Sequence, residues 1–140
     1  MTTSIDSNII VALWWQADPL NSIATRMLSQ AHLAGKLVVS APVYAELMGD
    51  PKRTEAGLNE FFLDTGISVD WTLEEKVWRE AGRANRGYIQ RRRLSGGQIP
   101  RRILTDFLIG AHALVRGYSL LTFDQRLYAA AFPTLSIIPV

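Results

Sequence analysis

Hydrophobic positions along the chain fall into two patterns that alternate from end to end: short apolar runs, and longer stretches with apolar residues three and four apart. The first run, residues 2–5, is polar at Thr2, Thr3 and Ser4 and ends on Ile5-Asp6. Ser7 and Asn8 are suited to cap a helix over residues 9–15, which Asp18-Pro19 breaks. A second helix fits residues 22–34, with Ile23, Met27, Leu28 and Ala31 on one face and Gly35 as its stop. Residues 37–40 form the second strand. Ala41-Pro42 then opens a helix with proline early, where its missing donor does no harm, and Val43, Glu46 and Leu47 follow within it. Residues 54–65 give a helix with Leu58, Phe61 and Phe62 apolar, and residues 67–70 a third strand. From Thr72 an amphipathic helix turns Leu73, Val77, Ala81 and Ala84 inward until its pattern is lost near Arg91.

Residues 105–124 place one carboxylate at a helix start and another at a strand end. Leu108, Ala111, His112 and Val115 recur at helical spacing, Gly110 and Ala111 are small enough to let that helix press against a sheet, and Gly117 stops it. Residues 119–122 are a short apolar run suited to a strand covered on both faces, delivering Asp124 just past its end. A last helix to Ala131, a turn at Pro133 and a terminal strand over residues 136–138 complete the pattern. Strands alternating with helices imply crossover connections. The expected architecture is a three-layer α/β/α sandwich around a mainly parallel sheet of about five strands, residues 1–140 forming one domain.

Composition narrows the classes. With 48% hydrophobic and 20% charged residues the chain is suited to a packed core rather than to disorder. The absence of cysteine excludes a disulfide scaffold, a thiol nucleophile and thiolate metal sites. No apolar run reaches the length of a membrane span, and Asp6 interrupts the N-terminal stretch where a signal sequence would be apolar, so the expected location is cytoplasmic. The net charge of +2 conceals an uneven distribution. Arg79, Arg83, Arg86, Arg91, Arg92, Arg93, Arg101 and Arg102 lie close in sequence against the single acid Glu80, with Tyr88 among them as a stacking surface. Such a run is either a solvated face or, because the guanidinium fork suits phosphate, a surface for RNA centred on Arg91, Arg92 and Arg93.

The acids carry the chemistry. Asp6 ends the first strand, Glu46 lies about one turn into the helix after the second, Asp106 begins a later helix, and Asp124 follows the fourth strand. Each has a structural explanation alone: Asp6 and Asp124 as helix caps, Asp106 as a partner for its helix dipole, Glu46 as a surface group. Together they converge on one edge of the sheet, where ligands bind in open α/β folds. Unpaired carboxylates so placed repel one another, and a divalent cation removes the penalty. All-oxygen donors favour Mg²⁺, with Mn²⁺ able to substitute. Such a site suits phosphodiester hydrolysis, with Asn8 and Thr122 holding the carboxylates by hydrogen bonds. His32 and His112, each alone on an apolar helix, read as packed, hydrogen-bonded residues, and Trp14 and Trp15 as core or interface.

Four motifs, Ile5-Asp6-Ser7-Asn8, Ser40-Ala41-Pro42-Val43-Tyr44-Ala45-Glu46-Leu47, Thr105-Asp106-Phe107-Leu108-Ile109-Gly110-Ala111-His112-Ala113 and Leu121-Thr122-Phe123-Asp124, stand in an order and spacing that resembles the PIN-domain ribonucleases. Within that family the chain is similar to the VapC-type toxins of bacterial toxin–antitoxin pairs, over essentially its whole length. The resemblance implies an Mg²⁺-dependent endoribonuclease with the quartet Asp6, Glu46, Asp106 and Asp124, supported by Asn8 and Thr122. It also implies a homodimer, a cognate antitoxin whose tail covers the site, and transfer RNA as a substrate class. Two departures stand out: the polar Thr2-Thr3-Ser4 where the family has an apolar strand, and Phe123 where a basic or polar residue often precedes the last acid.

Two other classes compete. A phosphoacceptor receiver domain also gathers acids at strand ends, but it needs a late lysine, and the last lysine here is Lys76. A non-catalytic RNA-binding or protein-interaction module could keep both fold and arginine face, since an intact quartet is necessary for hydrolysis and not sufficient.

Overall fold

The computed structural model describes residues 1–96 and 103–140. Four parallel strands, β1 (Thr2–Ile5), β2 (Lys36–Ser40), β3 (Ser68–Asp70) and β4 (Ser119–Leu121), form one sheet in the order β3-β2-β1-β4. The helices are α1 (Ser7–Trp14), α2 (Asn21–Ala34), α3 (Ala41–Leu47), α4 (Glu55–Thr65), α5 (Glu75–Leu94), α6 (Leu104–Arg116) and α7 (Gln125–Ala131). Every pair of neighbouring strands is parallel, so each connection is a crossover, as the alternating pattern requires. Among the described residues no helix is long and apolar enough to cross a membrane.

The polar β1 is a central strand. Thr3 pairs with Leu37 on one side and Ser119 on the other, and Ser4 with Val38 and Leu120. Thr3 and Ser4 are buried, and Ser4 Oγ has no hydrogen-bond partner. Two-sided backbone pairing holds this strand in place, with Ile5 fully buried at its end. The expected fifth strand over residues 136–138 is instead a single parallel bridge, Leu120 to Ile137, closed by Leu120 N–H to Ser136 O at 2.8 Å and Ile138 N–H to Leu120 O at 2.9 Å. Pro139 has no N–H with which to extend it.

Several helix boundaries differ from the sequence reading for local reasons. Asp6, not Ser7 or Asn8, is the cap of α1, its carboxylate accepting the Ser7 N–H, so the helix starts at Ser7. The buried stripe of α2 is Ala24, Met27, Leu28 and Ala31; His32 lies one position beyond it and is exposed rather than packed. The last turn of α5 runs through Arg91, Arg92 and Arg93 to Leu94, although the apolar pattern has ended there, because cations suit the carbonyl end of a helix. Of the arginine run, Arg101 and Arg102 lie outside the described residues.

In α6, residues Phe107 to Ala113 are all buried. Gly110 was expected to let this helix approach the sheet, yet it faces α7. A Cβ there would meet Phe132 Cε2 at 2.4 Å, Phe132 Cδ2 at 2.7 Å and Tyr128 Cδ1 at 3.0 Å. Both rings are buried and cannot move aside. The missing Cβ therefore sets how closely α7 lies on α6.

Gly110→Ala should destabilise the protein by about 1–3 kcal/mol despite alanine's better helix propensity. Gly82→Ala on α5, where an added Cβ meets nothing within 4 Å, should be neutral or stabilising by up to about 1 kcal/mol. Thermal unfolding of the two variants in parallel checks this. Equal effects would rule out the packing role of Gly110.

Candidate active site

Parallel pairing brings the C-terminal ends of β1 and β4 together, and the turns after them meet in a belt of hydrogen bonds. The Asp6 N–H donates to Leu121 O at 3.0 Å, continuing the β1–β4 ladder to the carboxylate. Asp6 itself is only 2% exposed. Its Oδ1 accepts from the Ser7 N–H at 2.7 Å and its Oδ2 from the Thr122 hydroxyl at 2.7 Å. Thr122 is fully buried and uses its oxygen twice more, accepting from the Asp124 N–H at 3.0 Å and from Asn8 Nδ2 at 3.4 Å. Asn8 Oδ1 in turn accepts the Phe123 N–H at 3.3 Å. Asn8 and Thr122 thus lock the start of α1 to the turn before α7. Asp6 is both a helix cap and a member of the cluster.

The other acids approach from separate elements. Glu46, in the last turn of α3, accepts from Ser7 Oγ at 3.0 Å. Asp106 sits in the first turn of α6 and is partly buried. Asp124 takes the cap position of α7 but makes no capping bond with its side chain, which leaves its carboxylate free to face solvent.

Their electrostatics are coupled. Burial raises the Asp6 pKa above the ordinary carboxylate range, outweighing the bonds from Thr122 and Ser7, and the charge of Asp124 adds to it. Glu46 is exposed as a residue, yet desolvation of its carboxyl raises its pKa too, with Asp6 contributing. Asp106 is pushed up to about 7, first by burial and then by the charges of Asp6, Glu46 and Asp124. The positive end of α6 would favour an ionised Asp106, so repulsion and burial together exceed the dipole.

Two residues of this site were not among the expected site residues. Ser7 bridges Asp6 and Glu46 by giving its N–H to one and its hydroxyl to the other. Tyr128, on α7 one turn after Asp124, is fully buried beside Asp6 and Asp106, and burial raises its pKa so that the phenol stays protonated. Its hydroxyl steadies both carboxylates electrostatically, but no contact meets hydrogen-bond geometry. The i, i+4 spacing from Asp124 was the available signal.

Among the described residues no three His, Asp or Glu side chains are gathered closely enough to form a ready metal cluster. The structure supplies instead oxygen donors from four elements around one crevice, where burial and neighbouring carboxylate charge raise the pKa of Asp6, Glu46 and Asp106. That donor chemistry fits a hard divalent cation.

His112 lies apart from this crevice. It is fully buried, with Nε2 at 2.8 Å from Asp70 Oδ2, while Arg116 reaches the same oxygen at 3.3 Å. Desolvation opposes the charge on Asp70, but the His112 bond, the Thr72 N–H and Arg116 outweigh it and lower its pKa.

The arginine-rich helix is less uniform than its sequence. Arg79 and Arg83 are paired with Glu75 at 3.0 Å and Glu80 at 2.6 Å. Tyr88 is not an open stacking surface: its ring packs edge-on against Phe107, centroids 5.7 Å apart, and the Arg92 guanidinium lies 6.0 Å from its centroid. Arg91 and Arg93 are exposed. Since Phe107 directly follows Asp106, the basic end of α5 stands beside the start of α6.

The raised pKa of Asp106 has a defined sign. The folded chain holds this proton more tightly than the unfolded one, so the associated stability is full below pH 4 and lost as pH rises toward about 7. In chelator, Asp106→Asn should raise the melting temperature by a few degrees at pH 8, the gain shrinking toward pH 5, with partial exposure limiting its size. A pH-independent difference between variant and wild type would show that Asp106 is not strained by its neighbours.

Comparison with known proteins places the fold. VapBC-1 from nontypeable Haemophilus influenzae superposes with a TM-score of 0.67 at 23% identity, covering 99% of this chain and 97% of the other. VapBC2 from Rickettsia felis, solved bound to a DNA fragment from its promoter, gives 0.66 at 19%, covering 99% and 98%. FitAcB from Neisseria gonorrhoeae gives 0.65 at 20%, covering 98% and 96%. A search of curated proteins returns no match. The similarity to these structures is one of fold, and the sequence match that accompanies it, over residues 4–133, establishes that the chain belongs to the PIN domain family.

Proposed function

We propose that this chain is a metal-dependent endoribonuclease acting as the toxin of a toxin–antitoxin pair. The observation that carries the reading is the buried Asp6 carboxylate, tied through Ser7 to Glu46 and through Thr122 to the turn of Asp124, with Asp106 near enough for these charges to add to burial in pushing its pKa up, because such a cluster gains most from a divalent cation. PIN domains are generally nucleases, and the structural similarity to VapBC and FitAB proteins supports the toxin assignment.

In this reading Asp6, Glu46, Asp106 and Asp124 hold Mg²⁺ or Mn²⁺. An ion held there would lower the pKa of a water and offset charge on the phosphoryl oxygens. Thr122 and Ser7 keep Asp6 aimed into the crevice, Asn8 keeps Thr122 in place, and Ser7 keeps Glu46 turned toward Asp6. A carboxylate of the quartet takes the proton of the attacking water. Arg91, Arg92 and Arg93 at the end of α5 meet RNA phosphates beside Asp106, Arg92 from its place against Tyr88. A cognate antitoxin covers the crevice, the toxin is a homodimer, and transfer RNA is the substrate class to test first.

Cleavage of a structured-RNA pool by purified protein should require Mg²⁺ and fall at least about 100-fold in Asp6→Asn and in Asp106→Asn, with both variants folded. Wild-type rates in either variant, or undiminished cleavage in chelator, would exclude the mechanism. A wild-type protein that binds Mn²⁺ at the crevice but cuts no RNA, transfer RNA included, would favour the non-catalytic module.

Neutralising Arg91 and Arg93 together should weaken RNA binding and lower its salt slope by about 1.4, the share of two phosphate contacts on a single strand. Filter binding across a salt series reads this directly. An unchanged slope would leave the arginine run as a solvated face.

A further inference from the structure

A second cationic surface lies on elements other than α5. Where α1 ends, Trp14 and Trp15 line a groove whose opposite wall is the loop between α3 and α4. Lys52 Nζ sits 3.3 Å from the Trp15 ring centroid, and the Arg53 guanidinium 3.9 Å from that of Trp14 and 5.7 Å from that of Phe61. Trp14 meets Phe61 edge-on at 5.4 Å and leaves its indole N–H buried without a partner. One acid, Asp50, shares the groove, but it is engaged locally, its Oδ1 accepting the Lys52 N–H at 2.9 Å. Thr54 opens α4 there, accepting the Gly57 N–H at 3.0 Å, so a positive helix end faces the same space. Among the described residues no acid side chain pairs with Lys52 or Arg53.

Two long cationic side chains laid on indoles have already given up much of their conformational freedom, so an anion meets them at reduced entropic cost. Trp15 is 38% exposed even with Lys52 laid over its ring, and a nucleobase can stack on it by using the uncovered part of the ring or by displacing the Lys52 ammonium onto the phosphate. The groove is tied to the acids by two short elements. Asp6 caps the start of α1 and Trp14 ends it, about 12 Å further along, while the loop bearing Lys52 and Arg53 begins where the helix of Glu46 ends.

We propose that this groove is a single-stranded RNA subsite, Lys52 and Arg53 holding a phosphate and Trp15 stacking a base of the strand that crosses the acidic crevice. The inference rests on the ribonuclease reading. A phosphate-plus-base ligand is favoured over an acidic peptide because the groove combines unpaired cations with an exposed ring, whereas a carboxylate alone would use only the cations.

The test uses a fluorescently labelled, mixed-sequence single-stranded RNA with Mg²⁺ in an Asp106→Asn background, so that the strand is bound and not cut. Adding Lys52→Ala and Arg53→Ala should weaken binding about tenfold and lower the salt slope by about 0.7, the share of one phosphate contact on a single strand. Trp15→Leu should weaken binding with the slope unchanged, because it removes stacking and no charge. With Asp106 restored, the Lys52→Ala, Arg53→Ala protein should show a raised KM and an unaltered kcat. Circular dichroism confirms that each variant is folded. If affinity, slope and KM are all unchanged while wild-type protein still cuts RNA, the subsite is excluded and the ribonuclease reading stands. If wild-type protein neither binds nor cuts RNA, both fall. Loss of binding to an acidic peptide with RNA affinity intact would assign the groove to a protein partner and overturn the proposal.

Discussion

A carboxylate buried at the end of the central strand is the constraint on which the rest of this structure depends. Asp6 is placed where water cannot compensate its charge, and it stays there because three independent parts of the chain support it: the first N–H of α1, the hydroxyl of Thr122 and the phenol of Tyr128 nearby. Each support imposes a condition elsewhere. Thr122 must be reached by β4 pairing directly with β1, so β4 cannot lie at the far side of the sheet. Tyr128 must be carried inward by α7, and α7 can lie close to α6 because position 110 has no side chain. The same close packing of α6 brings Asp106 within the electrostatic reach of Asp6.

Much of this was legible in the chain because two simple periods place the acids. Alternation of short runs with helical stripes gave about five strands, of which four form the parallel sheet, and it put Asp6 and Asp124 after strands, Glu46 in the helix after β2 and Asp106 at a helix start, without reference to any partner. Hydrogen-bonding chemistry identified Asn8 and Thr122, whose side chains do meet across 114 positions of sequence. What periodicity cannot register is which face of a small residue matters. Gly110 reads as permissive toward the sheet, while the rings it accommodates are Tyr128 on α7 and Phe132 just past its end, and nothing in the local pattern distinguishes the two.

The remaining differences share a cause, the dominance of tertiary contacts over short-range preference. Thr2-Thr3-Ser4 lacks the apolar content of a buried strand, yet two neighbours supply backbone partners and the strand is central. Residues 136–138 have the apolar content and only a single bridge. Tyr88 has the composition of a stacking platform, but Phe107 occupies it. His32 sits one position from a buried stripe and is exposed, whereas His112 falls within one and is tied to Asp70. In each case a residue type suggested a role and the geometry of a neighbouring element decided it.

The sheet order β3-β2-β1-β4 also has a temporal meaning. The first of the four strands in sequence, β1, pairs with the last, β4, and the Thr122 to Asp6 bond spans 116 residues. Loops of this length close late, after local helices and the β1–β2 pair have formed. A chain synthesised only as far as α6 can therefore form α1, α2 and β2 while Asp6 still lacks the hydroxyl that supports it, and the acidic crevice comes into being only once β4 and Thr122 are available to pair with β1. Whatever chemistry the crevice performs is thereby withheld from nascent chains and from C-terminally truncated fragments.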